Sequence, residues 1–293
     1  MTHAHHDAIE SFWVSAALIL TALVYLRGWL NVRKLEADGV RARHAGSFLV
    51  GLFFIWLAIA SPLAALDHEL LTAHMVQHLL LMTVAPPLIL FGAPVKPLLD
   101  GLWQPVVQII ARPFRAQPFQ KLGSALVHPA VCWLGAASTL VMWHIPLVFM
   151  LGLQSEYWHG IEQISFLATG LLFWWPVIQP PSSLKWPESS ILLYLFFATL
   201  PCDVLSGFLV FCDRVVYPVY FSSSRPFGFS ALEDQQCAGA LMWTCVTIVF
   251  LIAGAIVTAR LLSPHFSDEP SILPSESQSM AVPRTTGQSM EAV

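Results

Sequence analysis

The chain alternates between long apolar runs and shorter polar segments. Seven of the runs hold about 20 residues with almost no charged side chain, the length that a helix needs to cross the hydrocarbon core of a bilayer. A helix also satisfies its own backbone hydrogen bonds there. The pattern therefore predicts an all-α polytopic membrane protein, a bundle of about seven transmembrane helices in a single domain over residues 1–262. The predicted spans are residues 12–30, 47–66, 70–92, 128–152, 157–178, 189–212 and 234–262.

Three polar segments lie outside these spans. Residues 97–123 contain four prolines and short apolar patches, which favours an interfacial cytoplasmic segment over an eighth span. Residues 213–233 are rich in aromatic side chains, which either cover a site, contact a partner or form an aromatic belt at the membrane interface. Residues 263–293 are rich in Ser, Pro and Gln, so a disordered cytoplasmic tail is expected there.

The distribution of charge sets the expected orientation. Twelve of the fourteen Lys and Arg residues fall on one side of the seven predicted spans. The positive-inside rule then places the N-terminus outside and the C-terminus in the cytoplasm. Hydrophobic residues make up 56% of the chain and charged residues 11%, with a formal net charge of -4. This composition excludes an ordinary soluble domain, and the scattered basic residues argue against a nucleic-acid partner.

Under this topology, polar side chains from five predicted spans meet in the outer leaflet. The sharpest motif is His74-Met75-Val76-Gln77-His78 in span three, where two histidines at i and i+4 share one helix face. Buried imidazoles need partners, and polar residues within a membrane are candidates for function. The pair therefore indicates a metal site with Gln77 beside it. Interhelical hydrogen bonds alone are the alternative.

Two more histidines are expected to complete the ligand set. His144 lies near the outer end of span four, where it either binds a metal or pairs with a carbonyl freed by Pro146. His159 lies near the start of span five, on the same face as Glu162 and Gln163. These three form either a ligand with its orienting partners or a solvent-exposed helix start. The predicted metal ligands are thus His74, His78, His144 and His159.

Further polar and sulfur-containing side chains are supporting candidates. Asp203 follows Pro201 past the middle of span six and is expected to pair within the cluster. Asp234 begins span seven, either as a member of the cluster or as the N-terminal cap of that span. A Met thioether suits Cu(I), although a lone Met in a membrane helix is more often a packing residue. The supporting set is Gln77, Met75, Glu162, Gln163, Asp203, Asp234, Gln235 and Cys237.

The donor types narrow the choice of metal. Imidazoles with thioether and thiol neighbours suit copper or zinc better than hard cations, and the outer location favours copper. A haem-binding membrane redox protein would use the same histidines as axial ligands and is one alternative. A metal or proton transporter is another, suggested by Asp203, although no internal repeat supports it. A retinal protein is not expected, because all four lysines fall in loops.

Four segments carry a resemblance to a known family: HMVQHLLLMTVAPPLILFGAP (74–94), WHIP (143–146), HGIEQISFLATGLLFWWPV (159–177) and DQQCAGALMW (234–243). They resemble the CtaG-type cytochrome c oxidase assembly factors associated with caa(3)-type oxidases. The resemblance implies a multi-pass protein of the bacterial inner membrane that is not an enzyme. It further implies copper handling during oxidase maturation, with oxidase subunits as partners.

The same resemblance marks individual polar positions. Many relatives have His where this chain has Gln163, which favours a supporting role for Gln163 here. The positions that match the family's motifs are His74, Gln77, His78, His144, His159, Glu162, Asp234 and Gln235.

Overall fold

The structure, a computed structural model, describes residues 2–35, 41–114, 116–179, 187–222 and 228–263. Within these ranges the secondary structure is entirely helical and no strand occurs, so the all-α prediction is confirmed. Two 3₁₀ turns (Ala64–Leu66 and Pro218–Ser222) and one π-helical segment (Leu80–Val84) accompany the α-helices. The helices are α1 Thr2–Leu35, α2 Ala42–Ile59, α3 Leu71–Leu79, α4 Ala85–Phe91, α5 Val95–Gly101, α6 Gln104–Phe114, α7 Gln117–Leu126, α8 Pro129–His144, α9 Pro146–Gln154, α10 Glu156–Ile178, α11 Glu188–Phe211 and α12 Ala231–Leu262.

Six helical segments in the described residues are long and apolar enough to cross a membrane. A seventh results if α7 and α8, bent by 67° relative to each other, count as one span. This number agrees with the predicted bundle of about seven helices, whereas the predicted orientation of the termini stays a prediction. The six segments are Ser11–Lys34, Ala42–Leu66, Leu71–Phe91, Glu156–Ile178, Ser189–Phe211 and Ala231–Leu262.

The prediction of one continuous helix over residues 128–152 is wrong. α8 ends at His144 and α9 begins at Pro146, with Ile145 in an extended conformation between them. Proline lacks the N–H that would continue the helix, and it disfavours the α conformation in the residue before it. The break leaves the backbone carbonyl of His144 free, and Tyr217 donates its hydroxyl to this oxygen at 2.9 Å.

The span Leu71–Phe91 lies at the centre of the bundle. In its most apolar stretch 67% of the residues are buried, against 11% for the span of α1. A π-helical segment joins α3 to α4 just before Pro86. Because Pro86 has no N–H to donate, the carbonyl oxygen of Met82 is available to another donor, and Trp174 Nε1 lies 3.3 Å from it. Backbone groups freed within the membrane are thus satisfied by a neighbouring helix.

α10 packs closely against this central span and against α8. A Cβ atom at Gly170 of α10 would lie 2.8 Å from the carbonyl oxygen of Met82, so only glycine permits this approach. Trp143 of α8 donates from Nε1 to Ser165 Oγ of α10 at 2.8 Å. These contacts bring α8, α10 and the central span, which carry the predicted ligands, side by side.

The proline-rich segment between the third and fourth predicted spans forms three short helices, α5, α6 and α7. α5 crosses α1 with backbones in contact, because a Cβ at Gly28 or Gly101 would collide with the carbonyl oxygen of Pro97 or Val24. α7 has no buried residue. An interfacial location for this segment stays a prediction. The predicted tail over residues 263–293 lies outside the described residues, apart from Ser263.

Candidate metal centre

α3 carries the two histidines of the His74–His78 motif. Asp234, a residue of α12, caps the N-terminus of α3. The Asp234 carboxylate accepts the backbone N–H of Leu71 at 2.7 Å and that of Thr72 at 3.1 Å. It also accepts the Thr72 hydroxyl at 2.6 Å. The unpaired N–H groups at a helix start are satisfied in this way. The sequence offered Asp234 as a metal ligand or as the cap of its own helix. It instead caps α3, and Ser230 with Glu233 forms the capping box of α12.

His74, His78 and Glu162 form a compact buried group, which we call the trio. Glu162 Oε1 lies 3.5 Å from His74 Nε2 and 3.2 Å from His78 Nε2. One ligand atom from each residue lies within 4.8 Å of the other two. All three side chains are buried, with Glu162 at 0% exposure. Two imidazole nitrogens and one carboxylate oxygen that converge in this way match the ligand set of known metal sites that keep an open coordination position, so the trio could hold a metal ion.

Most polar atoms of the trio have no hydrogen-bond partner in the described part of the chain. These atoms are both ring nitrogens of His74, Nδ1 of His78 and both carboxylate oxygens of Glu162. A buried polar atom without a partner costs about 1–3 kcal/mol, so several such atoms at one place are strongly unfavourable. A neutral imidazole offers one lone pair, so a cation bound between the three residues would take one ring nitrogen of each histidine and the Glu162 carboxylate, which would offset part of this cost. The residues of the trio therefore fit a metal ion.

Aromatic rings enclose the trio. Phe149 lies against His74 with 4.9 Å between ring centroids, and Phe166 lies against His78 at 4.1 Å. Both phenylalanines are buried. Apolar rings beside a buried site lower the local dielectric, which strengthens the attraction between a carboxylate and a bound cation.

The aromatic loop after α11 covers the same end of the bundle. Tyr217 donates its hydroxyl to the carbonyl oxygen of His144 at 2.9 Å, and Tyr220 donates to that of Asp67 at 2.8 Å. Burial raises the pKa of both phenols, so both hydroxyls keep the proton that they donate. Tyr217 also lies 4.1 Å from the ring of Phe149. These contacts support a covering role for this part of the loop, whereas Phe221 is exposed.

His144 lies beside the trio and pairs with Met75. Its ring centroid is 6.1 Å from that of His78. His144 Nδ1 lies 2.7 Å from the carbonyl oxygen of Leu140, which can only accept, so Nδ1 carries the proton. In the neutral ring, Nε2 then presents a lone pair, and it faces Met75 Sδ at 3.3 Å. An imidazole nitrogen and a thioether sulfur form a pair of donors that suits a soft metal ion.

His159 belongs to a second group, although the sequence predicted it as a ligand together with His74 and His78. Its Nε2 lies 3.4 Å from Asp67 Oδ2, and His68 Nε2 lies 3.6 Å from Asp67 Oδ1. The Gln163 side-chain amide lies 2.9 Å from His159 Nε2, and Gln77 Nε2 donates to Asp67 Oδ2 at 3.4 Å. Gln77 and Gln163 thus both contact this second group.

Besides Asp234, three further supporting candidates lie outside both groups. Gln235 holds the aromatic loop, because its Oε1 accepts Val216 N–H at 2.7 Å and its Nε2 donates to the carbonyl oxygen of Arg214 at 3.1 Å. Asp203 has a buried Oδ1 with no hydrogen-bond partner among the described residues. The pairing with the histidines that we expected for it is not observed in that part of the chain. Cys237 is exposed and lies outside both groups.

The candidates derived from the sequence did not include Asp67 and His68. Both lie between the predicted spans two and three, where polar residues are typical of a solvated loop. The 3₁₀ turn Ala64–Leu66 precedes them directly, and Asp67 is only 2% exposed. The one signal in the sequence is an Asp-His pair that ends an apolar run and stands within seven residues of His74.

The helical spans and the buried ligand groups define a class: a polytopic helical membrane protein with a candidate metal centre at one end of its bundle. The chain belongs to the cytochrome c oxidase caa3 assembly factor family (Caa3_CtaG), because the family model matches residues 23–263. The resemblance noted in the sequence is thereby confirmed.

Individual relatives add little beyond the family. Uncharacterised proteins of Mycobacterium bovis and Mycobacterium tuberculosis are each 26% identical to the chain over 266 residues. One of Mycobacterium leprae is 22% identical over 261 residues. Each alignment covers 84% of this chain but only 38% of the relative, so the chain spans well under half the length of these curated relatives. No solved structure matches the chain significantly.

Proposed function

We propose that the protein binds copper at the trio and assists its delivery to cytochrome c oxidase, as a multi-pass protein of the bacterial inner membrane. The observation that carries this proposal is the convergence of buried ligand atoms from His74, His78 and Glu162, three residues most of whose polar atoms lack hydrogen-bond partners in the described chain. Membership in an oxidase assembly family supports the oxidase as the client.

The donors beside the trio favour copper over other metals. Two imidazoles and a carboxylate alone would also suit zinc or iron. The Met75 thioether contacts His144 Nε2 at 3.3 Å, and the His144 ring centroid lies 6.1 Å from that of His78, so a sulfur donor lies near the trio. Thioethers select Cu(I), and imidazoles bind it as well. A site that offers both donor types can hold copper more tightly than a hard cation.

Each side chain has a distinct part in holding the ion. His74 and His78 present Nε2 toward Glu162 and would bind as neutral imidazoles, while the Glu162 carboxylate offsets the positive charge of the ion. Phe149 and Phe166 keep water out. Copper supplies no chemistry here because it is cargo. The three ligands of the trio leave a further coordination position, which the Met75 thioether can occupy while the ion is held and a client's ligand can occupy while the ion is taken.

The site fits binding and release better than hydrolysis. Zinc peptidases with the motif His-Glu-x-x-His also use two histidines at i and i+4, and the glutamate after the first histidine is their general base. Met75 stands at that position here. A thioether takes up no proton at neutral pH, so the motif has the ligands but lacks the base.

The alternatives fit the geometry less well. A haem would need a flat slot between two axial ligands, but one carboxylate contacts both His74 and His78, and their rings lie 4.3 Å apart at 89°. Phe149 and Phe166 fill the adjoining space. A transporter would continue the polar path through the membrane, yet Asp203 lies outside both histidine groups.

Copper binding by purified protein tests the proposal. The full chain in detergent would be titrated with Cu(I) in competition with a chromogenic chelator. Loss of a residue that only hydrogen-bonds to a metal ligand typically lowers metal affinity about 10–100-fold. We expect the double variant His74→Ala/His78→Ala to lose more Cu(I) affinity than this, because it removes two ligands. His128→Asn is the matched control, since His128 accepts Ala130 N–H as the cap of α8 and Asn caps equally well.

The same variants would be tested in cells that lack the chromosomal gene. Oxidase activity and its copper content should be restored by the wild type and by His128→Asn but not by the double variant. Cu(I) affinity of the double variant equal to that of the wild type would overturn the copper site. Full oxidase maturation with the double variant would overturn the link to delivery.

A further inference from the structure

A second group of metal-ligating side chains lies beside the trio. Asp67 and His68 follow the 3₁₀ turn after α2, and His159 lies in the first turn of α10. One ligand atom from each residue lies within 4.8 Å of the other two. We call these three residues the outer group, because His68 reaches the surface of the protein.

The distances in the outer group leave the carboxylate poorly satisfied. His159 Nε2 and His68 Nε2 lie 3.4 and 3.6 Å from the two oxygens of Asp67, which is long for hydrogen bonds. Asp67 is 2% exposed, and its Oδ1 has no hydrogen-bond partner among the described residues. A metal ion about 2.0–2.2 Å from each ligand atom would fit such spacings.

Gln163 adds a fourth possible ligand. Its amide lies 2.9 Å from His159 Nε2. Rotating the amide by half a turn exchanges its oxygen and nitrogen without moving the rest of the side chain. The oxygen would then stand next to the imidazole nitrogen, at a separation typical of two ligands on one ion.

Other side chains hold the outer group in place. The Tyr220 hydroxyl donates to the backbone carbonyl oxygen of Asp67 at 2.8 Å, and Gln77 Nε2 makes a longer contact of 3.4 Å with Asp67 Oδ2. Hydrogen bonds of this kind orient the ligands of metal sites. A pair of surface charges in an ordinary loop would not require a buried tyrosine and a buried glutamine to fix it.

The outer group connects water with the trio. The side chain of His68 is 59% exposed and that of His159 12%, whereas those of the trio are at most 6% exposed. Successive ring centroids lie 5.9 Å apart from His68 to His159 and 5.7 Å apart from His159 to His74. The imidazoles of His68, His159 and His74 thus follow one another at contact distance from the protein surface to the trio.

We propose that the outer group, with Gln163, is a second metal site that receives an ion from the aqueous surface and passes it to the trio. The passage is an exchange of ligands, so the ion keeps its oxidation state. Binding at the outer group stands on its own geometry, whereas the transfer step rests on the proposed function of the trio.

Cobalt titration of the purified full chain tests the two sites separately. Co²⁺ is the probe, because its visible absorption reports ligand type and number, and equilibrium dialysis counts the bound ions. We expect two ions for the wild type and for the control His128→Asn. We expect one ion for Asp67→Asn/His159→Asn and one for His74→Ala/His78→Ala, with different spectra for the two variants.

The rate of loading tests the transfer. In stopped-flow mixing, the spectrum of the trio should develop at least about tenfold more slowly in Asp67→Asn/His159→Asn than in the wild type. Two bound ions and an unchanged rate in this variant would overturn the outer site and leave the trio intact. The opposite pattern, with no ion lost from His74→Ala/His78→Ala, would overturn the proposed function but not the outer site.

A gain of affinity separates the proposal from simple damage to the fold. Gln163→Glu places a carboxylate oxygen next to His159 Nε2, so the outer site should bind Co²⁺ at least about tenfold more tightly than in the wild type. A local folding defect would weaken binding instead. An affinity equal to or below that of the wild type, in protein that elutes as the same species on size exclusion, would contradict a metal site here.

Discussion

His144 Nε2 faces Met75 Sδ at 3.3 Å, while the carbonyl of Leu140 holds the ring proton on Nδ1. Metal–nitrogen and metal–sulfur distances are about 2.0 and 2.3 Å. Their sum exceeds the observed separation, so one ion can touch both atoms at a bent angle. The sulfur is the softest donor in the candidate site, and it therefore bears on which metal the site prefers.

Replacing the sulfur should change selectivity more than stability. Met75→Leu keeps the volume of the side chain, and such exchanges usually cost below about 1.5 kcal/mol. The ratio of Cu(I) affinity to Zn²⁺ affinity should fall about tenfold or more, since only Cu(I) gains from a thioether. Competition titrations with both ions measure it. Met82, which is partly buried and packs against the core, provides the control: Met82→Leu should leave the ratio unchanged. An equal effect of both variants would contradict the prediction.

Gly152 should control the position of the Glu162 carboxylate. A Cβ at Gly152 would lie 2.7 Å from Glu162 Oε2, so Gly152→Ala should push the carboxylate away from the histidines. Copper affinity should fall about tenfold with little change in thermal unfolding, because the displaced group is the end of a flexible side chain. Gly160→Ala is the control, since a Cβ there has no atom within 4 Å in the described residues. Similar copper affinities for the two variants would refute this role of Gly152.

Asp234 should stabilise the first turn of α3 from a distant part of the chain. Asp234→Ala removes the acceptor of the Leu71 and Thr72 N–H groups, and the loss of such a cap costs about 0.5–2 kcal/mol. Hydrogen exchange at the Leu71 and Thr72 amides should become faster by the factor that this free energy represents, about 2-fold to 30-fold. Glu233→Ala breaks only the capping box of α12. Unchanged protection at Leu71 and Thr72 in Asp234→Ala would show that the cap is dispensable.

Tyr217 and Tyr220, the buried tyrosines of the aromatic loop after α11, predict a loss of folding stability at alkaline pH. A free tyrosine ionises near pH 10, and burial raises the pKa of Tyr217 and Tyr220 above that value in the folded chain. The resulting stabilisation is complete below about pH 10 and declines as the pH rises toward the folded-state values. The double variant Tyr217→Phe/Tyr220→Phe should therefore lose less stability between about pH 9 and 11 than the wild type.

Thermal unfolding across this pH range measures the difference. Tyr157→Phe serves as the control because Tyr157 is 71% exposed, and it should follow the wild type. If the double variant shows the same alkaline decline as the wild type, the loop tyrosines do not account for it.

Local patterns in the sequence predicted the bundle and much of the trio. Runs of about 20 apolar residues mark the spans, and the i, i+4 spacing places His74 and His78 on one face, where their rings lie 4.3 Å apart. The break before Pro146 was missed because the apolar pattern continues through it. Whether proline ends a membrane helix depends on partners for the freed carbonyls, such as Tyr217 for His144.

Contacts between distant parts of the chain decided what the sequence left open. His159 and Glu162 lie one turn apart on α10, and the packing of α10 determines that only Glu162 reaches the trio. Asp67 is typical of a loop in the sequence, and its burial depends on contacts with distant residues such as Tyr220 and His159. Asp234 lies 163 residues from Leu71, a separation at which no local pattern can indicate the cap.

The central position of α3 in the bundle determines how strongly the thickness of the bilayer can affect the geometry of its two histidines. The span Leu71–Phe91 is surrounded largely by protein, whereas the span of α1 is mostly exposed. A bilayer thicker or thinner than the hydrophobic length acts first on the helices that touch lipid, which tilt to adapt. The two histidines of α3 are therefore mechanically insulated, and their geometry should tolerate changes in membrane thickness that would deform a site on a peripheral helix.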